Sequence, residues 1–360
     1  MKTTLKNALR ATTLAASLLA PAVWAATPAD TLVIARDISA FLSLDPQEAF
    51  EIASGDSLNN LYLRLVQHDP LDFSKIIPGA AQSWESAPDG KKIVFTIRQG
   101  LKFQSGNPLT AEDAAFSLQR GILLDKQSAI ILRQFGWTKD NVKERVRAEG
   151  DKLVLSFEQP YATDLILSAL SAAIASVVDK KLVLENERNN DLGNGWLRTR
   201  SAGAGAYKLV EWKAKDAVVM EAFAGYQGGT APKLKRVIVR HVSEAAAQRL
   251  LLEKGDVDVA ADLNPDQVQA IGDKPDLKVV QIPRGNVYYL ALNTSNPSLA
   301  KPEVWQAMRW LIDYEGIAKQ LFRGQYRVNQ TPVANGTTGA LIEQPYKLDV
   351  AKAKALLAKA

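Results

Sequence analysis

The sequence predicts lobes of α+β or α/β build behind an export signal. Three observations carry this. Strand-like and helix-like patterns mix irregularly along the chain, without the uniform runs of an all-helical or all-strand domain. The 360 residues include no cysteine, so stability must come from apolar burial and not from disulfides. That length allows two or three domains. The first 25 residues follow the order of a secretory signal peptide.

The signal opens with Lys2, Lys6 and Arg10. An apolar stretch runs from Ala11 to Ala20, interrupted by Thr12, Thr13 and Ser17. Val23 and Ala25 then stand at the two small-residue positions before a cleavage point after Ala25. The apolar stretch is shorter than the roughly 20 residues a bilayer requires. The expected location is the periplasm, and a lipid-anchored cysteine is excluded by composition. The formal net charge of +5 loses three positive charges with the signal, leaving 41 against 39, or +2. No nucleic-acid partner is expected from that balance, and the interspersed charges read as solvated surface.

The elements follow in order. Residues 31–35 form a short apolar run that suits a buried strand. Leu44-Asp45-Pro46 is a turn. Residues 53–65 place Leu58, Leu61, Tyr62 and Leu65 at helical spacing. Residues 92–98 alternate as a strand entered by Pro88-Asp89-Gly90. Thr110 is an N-cap with Glu112 and Asp113 in the first turn, and that helix runs on through Phe116 and Leu118. Residues 153–157 read as a strand, and residues 161–178 as a buried helix pair. The polar, glycine-rich stretch 189–205 is the best boundary candidate. Strands are expected at 207–212, 217–222 and 236–241, and a helix at 244–253 ended by Gly255. Further strands are expected at 257–259, 277–282 and 288–293. Val304, Met308, Leu311, Ile312 and Leu321 mark an amphipathic helix over 304–322. Asp349 caps a last helix over 350–360, which carries no stop signal.

Catalytic apparatus is hard to assemble from these residues. A nucleophilic triad needs a histidine, and the two present, His68 and His241, lie in no catalytic signature. Metal-ligand spacing is absent, so no metal and no cofactor is expected. Gly203-Ala204-Gly205-Ala206-Tyr207 lacks the third glycine of a dinucleotide fingerprint and is followed by a strand, so it reads as a tight turn. Six tryptophans remain after signal removal, and most should pack the core.

A set of motifs in one order carries a resemblance. Gly79-Ala80-Ala81-Gln82-Ser83-Trp84-Glu85 comes first, then Pro88-Asp89-Gly90-Lys91. Phe95-Thr96-Ile97-Arg98-Gln99-Gly100-Leu101-Lys102-Phe103 follows. Asn107-Pro108-Leu109-Thr110-Ala111-Glu112-Asp113 then leads into Phe116-Ser117-Leu118-Gln119-Arg120. This resembles the family 5 solute-binding proteins of dipeptide, oligopeptide and nickel importers. Leu44-Asp45-Pro46 matches the family's opening motif. Residues 203–207, 252–258, 289–294 and 304–317 resemble its later ones, so the resemblance covers roughly residues 31–360. Gln104 stands where the family often has histidine, and Ala204 and Ala206 replace threonine and proline.

The resemblance implies an α/β fold of periplasmic-binding-protein type II, with two lobes. Residues 26–65 and 195–290 would form lobe I, residues 66–194 a subdomain inserted in it, and residues 291–360 the start of lobe II. Family members usually run longer, so lobe II is expected to be incomplete here. The implied function is the substrate-binding component of an ABC importer. It would trap a small solute (a peptide, an opine-like compound or a metal chelate) between two lobes and hand it to permease subunits, acting as a monomer and not as an enzyme. A periplasmic peptidase or hydrolase is the alternative, or a sensor or chaperone-like module on the same scaffold. The loop after the first turn is expected to line the cleft, which selects Phe50, Glu51 and Ser54. Trp137 is a further candidate from its aromatic character.

Overall fold

The computed structural model describes residues 27–360 apart from Leu71, Phe73, Asp273, Pro283, Arg284 and Thr338. The expected signal peptide and its cleavage point lie outside the described residues. Strand β1 (Thr31–Arg36) is flanked on both sides by parallel partners, β12 (Arg236–His241) and β13 (Val259–Ala260). Its run Leu32-Val33-Ile34-Ala35 is apolar throughout because both faces are covered. Val33 and Ala35 pack with Leu251 and Leu252 of helix Ala245–Lys254, while Leu32 and Ile34 pack on the opposite core. The antiparallel strands β10 (Tyr207–Lys213) and β11 (Ala217–Ala222) extend the sheet beyond β12, giving the order β10-β11-β12-β1-β13.

A second, four-stranded antiparallel sheet has the order β5-β6-β8-β7. It consists of β5 (Ala81–Ser86), β6 (Lys92–Ile97), β7 (Val146–Glu149) and β8 (Lys152–Ser156). Two short pairs complete the strands: β2 (Leu63–Arg64) with β9 (Ser176–Val177), and β3 (Val66–His68) with β4 (Ile76–Pro78). Helix Ala111–Leu124 packs over the four-stranded sheet. It starts where Thr110 and Asp113 form a capping box, the Thr110 N–H donating to the Asp113 carboxylate at 2.9 Å.

The apolar residues fall into two main cores. One gathers side chains from residues 63–177, including Phe95, Phe103, Leu118, Phe135, Trp137 and Leu153, with Ala204. The other gathers residues 38–62 and 178–239, including Ile38, Phe41, Leu58, Leu61, Tyr62 and Met220.

Several expected elements differ. The helix expected to Leu65 stops at Leu61, because Tyr62 turns extended and Leu63–Arg64 pairs with β9. The helix pair expected over 161–178 is one helix, Thr163–Leu170, then a 3-10 turn and β9. Residues 277–282 and 288–293 are not strands. An alternating pattern makes a strand only with a hydrogen-bonding partner, and here Val280, Ile282, Tyr288 and Tyr289 lie exposed. The helix over 304–322 is interrupted after Pro302–Leu311. Asp313 accepts from the Gly316 N–H at 2.9 Å and starts a separate turn, a local side-chain bond competing with the helix.

The two cores meet at a seam. The carbonyl of Leu61 accepts from the Gly205 N–H at 3.0 Å and from Gln104 Nε2 at 2.9 Å. Gln104 Nε2 also donates to Tyr207 O at 2.7 Å, and its N–H donates to Gly203 O at 2.9 Å. Gln104, next to Phe103 of the first core, therefore donates across the seam to Leu61 and Tyr207 of the second. A Cβ on Gly203 would overlap the Leu61 carbonyl oxygen, and one on Gly205 the Asn60 carbonyl oxygen. The neighbour is backbone in both cases, so the seam itself would have to open. We expect Gly203→Ala to cost about 1–3 kcal/mol. Thermal unfolding followed by circular dichroism should show a melting temperature lower by at least about 2 °C; an unchanged melt would mean that the seam opens freely.

Candidate functional site

The loop after β1 is held from beneath by a buried ion pair. Asp45 and Arg120 have side chains of 0% exposure, and two bonds of 2.7 and 2.6 Å join the guanidinium to the two carboxylate oxygens. Arg120 Nη1 also donates to Gln47 Oε1 at 2.7 Å, and its Nε to Leu192 O at 2.8 Å. Asn194 Nδ2 donates to Asp45 at 2.7 Å. Gln47 Nε2 spans to the carbonyls of Ile174 and Ser176 at 2.9 and 3.0 Å. Ser128 Oγ donates to Gln47 O at 2.6 Å, and the Tyr62 phenol to Leu44 O at 3.1 Å. Burial pushes the Tyr62 phenol far above its ordinary pKa, so it stays a donor.

This network fixes the chain that rises from it. Glu51 is the N-cap position of helix α1 (Ile52–Leu61). Its side chain does not cap that helix. It turns back, accepting from Leu42 N at 3.1 Å and Phe50 N at 3.0 Å. Ser54 Oγ donates to Glu51 O at 3.0 Å. Phe50 stands out from the loop at 47% exposure, with Leu42 and Ile52 also exposed nearby.

Phe50, Glu51 and Ser54 come together on one groove of about 170 Å³. Ala49, Gly55 and Leu58 complete that wall. Ser128, Ile131, Ala173 and Ile174 form the wall opposite. Chemically the groove is an apolar slot with one carboxylate at its edge. Two acceptor positions of Glu51 are taken by backbone N–H groups, which leaves lone pairs for an N–H or ammonium donor. Leu58 follows Ser54 by one helical turn, so helical spacing alone could have extended the near wall. The far wall arrives by tertiary packing and had no local signal.

The structure does not bring Trp137 to this group. Its indole is 1% exposed, stacks on Phe157 with ring centroids 5.6 Å apart, and donates to Ser156 O at 3.1 Å. Its aromatic surface is spent on the core against Phe135 and Phe157. His241 lies at the end of β12, its Nδ1 accepting from Ile38 N at 3.2 Å, 3.6 Å from the Asp37 carboxylate. Among the described residues no group of three or more His, Cys, Asp or Glu could hold a metal ion. Among them, too, no helix is long and apolar enough to cross a membrane.

Comparison with known proteins adds the family. The model described as bacterial extracellular solute-binding proteins, family 5 Middle, matches residues 75–360. The chain is 30% identical over 339 residues to the probable D,D-dipeptide-binding periplasmic protein DdpA of Escherichia coli (strain K12), across 93% of this chain and 63% of that protein. The periplasmic binding protein DppA from Helicobacter pylori, solved in complex with the peptide STSA, gives a TM-score of 0.76 at 23% identity, over 91% of this chain and 65% of that one. NikZ from Campylobacter jejuni, in complex with Ni(L-His), gives 0.75 at 22%, over 92% and 63%. The fold is thus α/β, of periplasmic-binding-protein type II. The chain spans less than two thirds of the length of DdpA.

The buried pair beneath the loop has a measurable consequence. Arg120→Met should leave the Asp45 carboxylate buried without its counter-charge and cost about 3–5 kcal/mol. The double variant Asp45→Asn with Arg120→Met removes both charges and should recover part of that loss. Urea unfolding of the four proteins in the cycle measures the coupling; strictly additive losses would show that the two side chains do not act as a pair.

Proposed function

The chain belongs to the bacterial extracellular solute-binding proteins of family 5, and we propose from that membership that it serves as the solute-binding component of an ABC importer. It captures a peptide-like or other small solute and passes it to permease subunits in the inner membrane. Binding of this kind needs no covalent step; it needs a shaped surface and closure of two lobes. The observation that carries the reading is the groove. Phe50 and Glu51 of the loop and Ser54 in the first turn of α1 lie together there, on a loop fixed from below.

The proposed organisation follows the two sheets. Residues up to 65 and from 195 to 290 form lobe I around the five-stranded sheet. Residues 66–194 form a subdomain inserted in lobe I around the four-stranded sheet. Residues 291–360 contribute to lobe II. In this reading solute binds at the face where the subdomain meets helix α1, and Phe50 packs an apolar part of it while Glu51 accepts from a donor group. The protein works as a monomer in the periplasm, with its signal removed after Ala25.

Relatives differ in what their descriptions name, a D,D-dipeptide, the peptide STSA and Ni(L-His) among them. Calorimetric titration with dipeptides, a tetrapeptide and a nickel–histidine complex should therefore find one class that binds. Phe50→Ala should weaken that binding at least fivefold and leave the unliganded melting temperature within a few degrees, because the ring is half exposed. Unchanged affinity would remove Phe50 from the site. Intact-mass measurement of exported protein should give a chain beginning at Ala26, and a retained Met1 would argue against the periplasm.

A further inference from the structure

Gly55 lies on the groove wall formed by α1, beside Ser54 and one turn before Leu58 and Asn59. Its φ is not positive, so the backbone there accepts any residue. A Cβ built on it meets nothing within 4 Å. The other helical glycines among the described residues differ. Gly121 would press a Cβ on Ile174 at 3.2 Å and Leu132 at 3.3 Å, Gly195 on the Asp191 carboxylate at 3.0 Å, and Gly316 on Asp313. At Gly55 neither backbone conformation nor packing calls for the loss of a side chain. Glycine in a helix is nevertheless less stable than alanine.

The open space beside Gly55 adjoins the groove that Gly55 lines, and the two hydroxyls of that groove are already engaged, leaving Glu51 at its edge as the acceptor. Ser54 Oγ donates to Glu51 O, Ser128 Oγ donates to Gln47 O, and the Glu51 carboxylate faces the Leu42 and Phe50 N–H groups. The apolar surface left towards the space comes from Phe50 and the half-buried Ile131, with Leu58 and Ile174 buried behind them. We propose that Gly55 determines specificity in this groove, its missing side chain leaving room for an apolar side chain of a bound solute against the α1 backbone. The proposal rests on the reading of the groove as the solute site. It narrows the solute to one carrying a branched aliphatic or similar apolar group.

The test uses the full chain and two dipeptide probes, Ala-Ala and Leu-Leu, titrated into the unaltered protein, Gly55→Ala and Phe50→Ala. Gly55→Ala should raise the unliganded melting temperature by about 1–2 °C. It should weaken Leu-Leu about tenfold or more while changing Ala-Ala less than threefold. Stability and affinity thus move in opposite directions, which a purely structural role would not produce. A lowered melting temperature, an unchanged Leu-Leu affinity or an equal loss for both dipeptides overturns the role of Gly55. If Phe50→Ala weakens binding and Gly55→Ala does not, only the role of Gly55 falls. If Phe50→Ala also has no effect, or neither dipeptide binds the unaltered protein, the groove reading falls and takes this proposal with it.

Discussion

The bidentate pair of Asp45 and Arg120 ties the two halves of the structure together. Arg120 lies on helix Ala111–Leu124, which builds the core of the four-stranded sheet. Asp45 lies on the turn whose neighbour Leu44 belongs to the other core. Burying both charges removes their hydration, and their mutual attraction compensates only if the remaining donors and acceptors are also satisfied. Here they are met closely. The guanidinium reaches Asp45, Gln47 and Leu192 O, and Asp45 receives Asn194 as well. A network in which every group has a partner admits few other arrangements, so it sets the relative position of the two cores.

The groove inherits its shape from that arrangement. Gln47 is held by Arg120 on one side and by the Ile174 and Ser176 carbonyls on the other. Ile174 is itself a groove wall, and so is Ser128, whose hydroxyl bonds the Gln47 carbonyl. The far wall is therefore bolted to the loop that supplies the near wall. The Gln104 and Gly203–Gly205 seam does the same at the other end of α1, through the Leu61 carbonyl. Helix α1 is fixed at its start by the loop and at its end by the seam. What stays unfilled between these fixtures is space along its exposed flank, not slack in its position.

The legible parts of the fold were those decided locally. The Thr110–Asp113 capping box and the stop of helix Ala245–Lys254 at Gly255 each depend on a few adjacent residues. The strands expected at 207–212, 217–222 and 236–241 form because each pattern finds its partner in the five-stranded sheet. Part of the groove was reachable through resemblance, because the loop is anchored on Leu44-Asp45-Pro46. Its far wall was not, since Ser128, Ile131, Ala173 and Ile174 reach it only through packing. The buried network left a faint trace. Asp113, Ser117 and Arg120 share the buried side of one helix, an arrangement that hydrophobic periodicity alone counts as a defect. Aromatic character said nothing about placement: Trp137 is buried in the core and Phe50 stands exposed on the groove.

The same physics separates β1 from residues 288–293. Both segments carry apolar residues in short runs. β1 becomes a strand because β12 and β13 satisfy its backbone on both sides and two apolar layers cover its faces. In residues 288–293 Tyr288, Tyr289 and Leu290 are largely exposed, and no strand among the described residues pairs with them. Side-chain pattern states which surface a segment would bury if a partner were present; it does not supply the partner. The groove obeys that rule from the other side. Its walls are brought together by backbone and ionic bonds remote from the space they enclose, with Leu58 and Ile174 buried behind it while Phe50 and the half-buried Ile131 keep apolar surface towards it. An apolar surface kept open by rigid supports gains free energy from whatever apolar group covers it. The groove thus depends on polar bonds among Asp45, Gln47 and Arg120, none of which lines it.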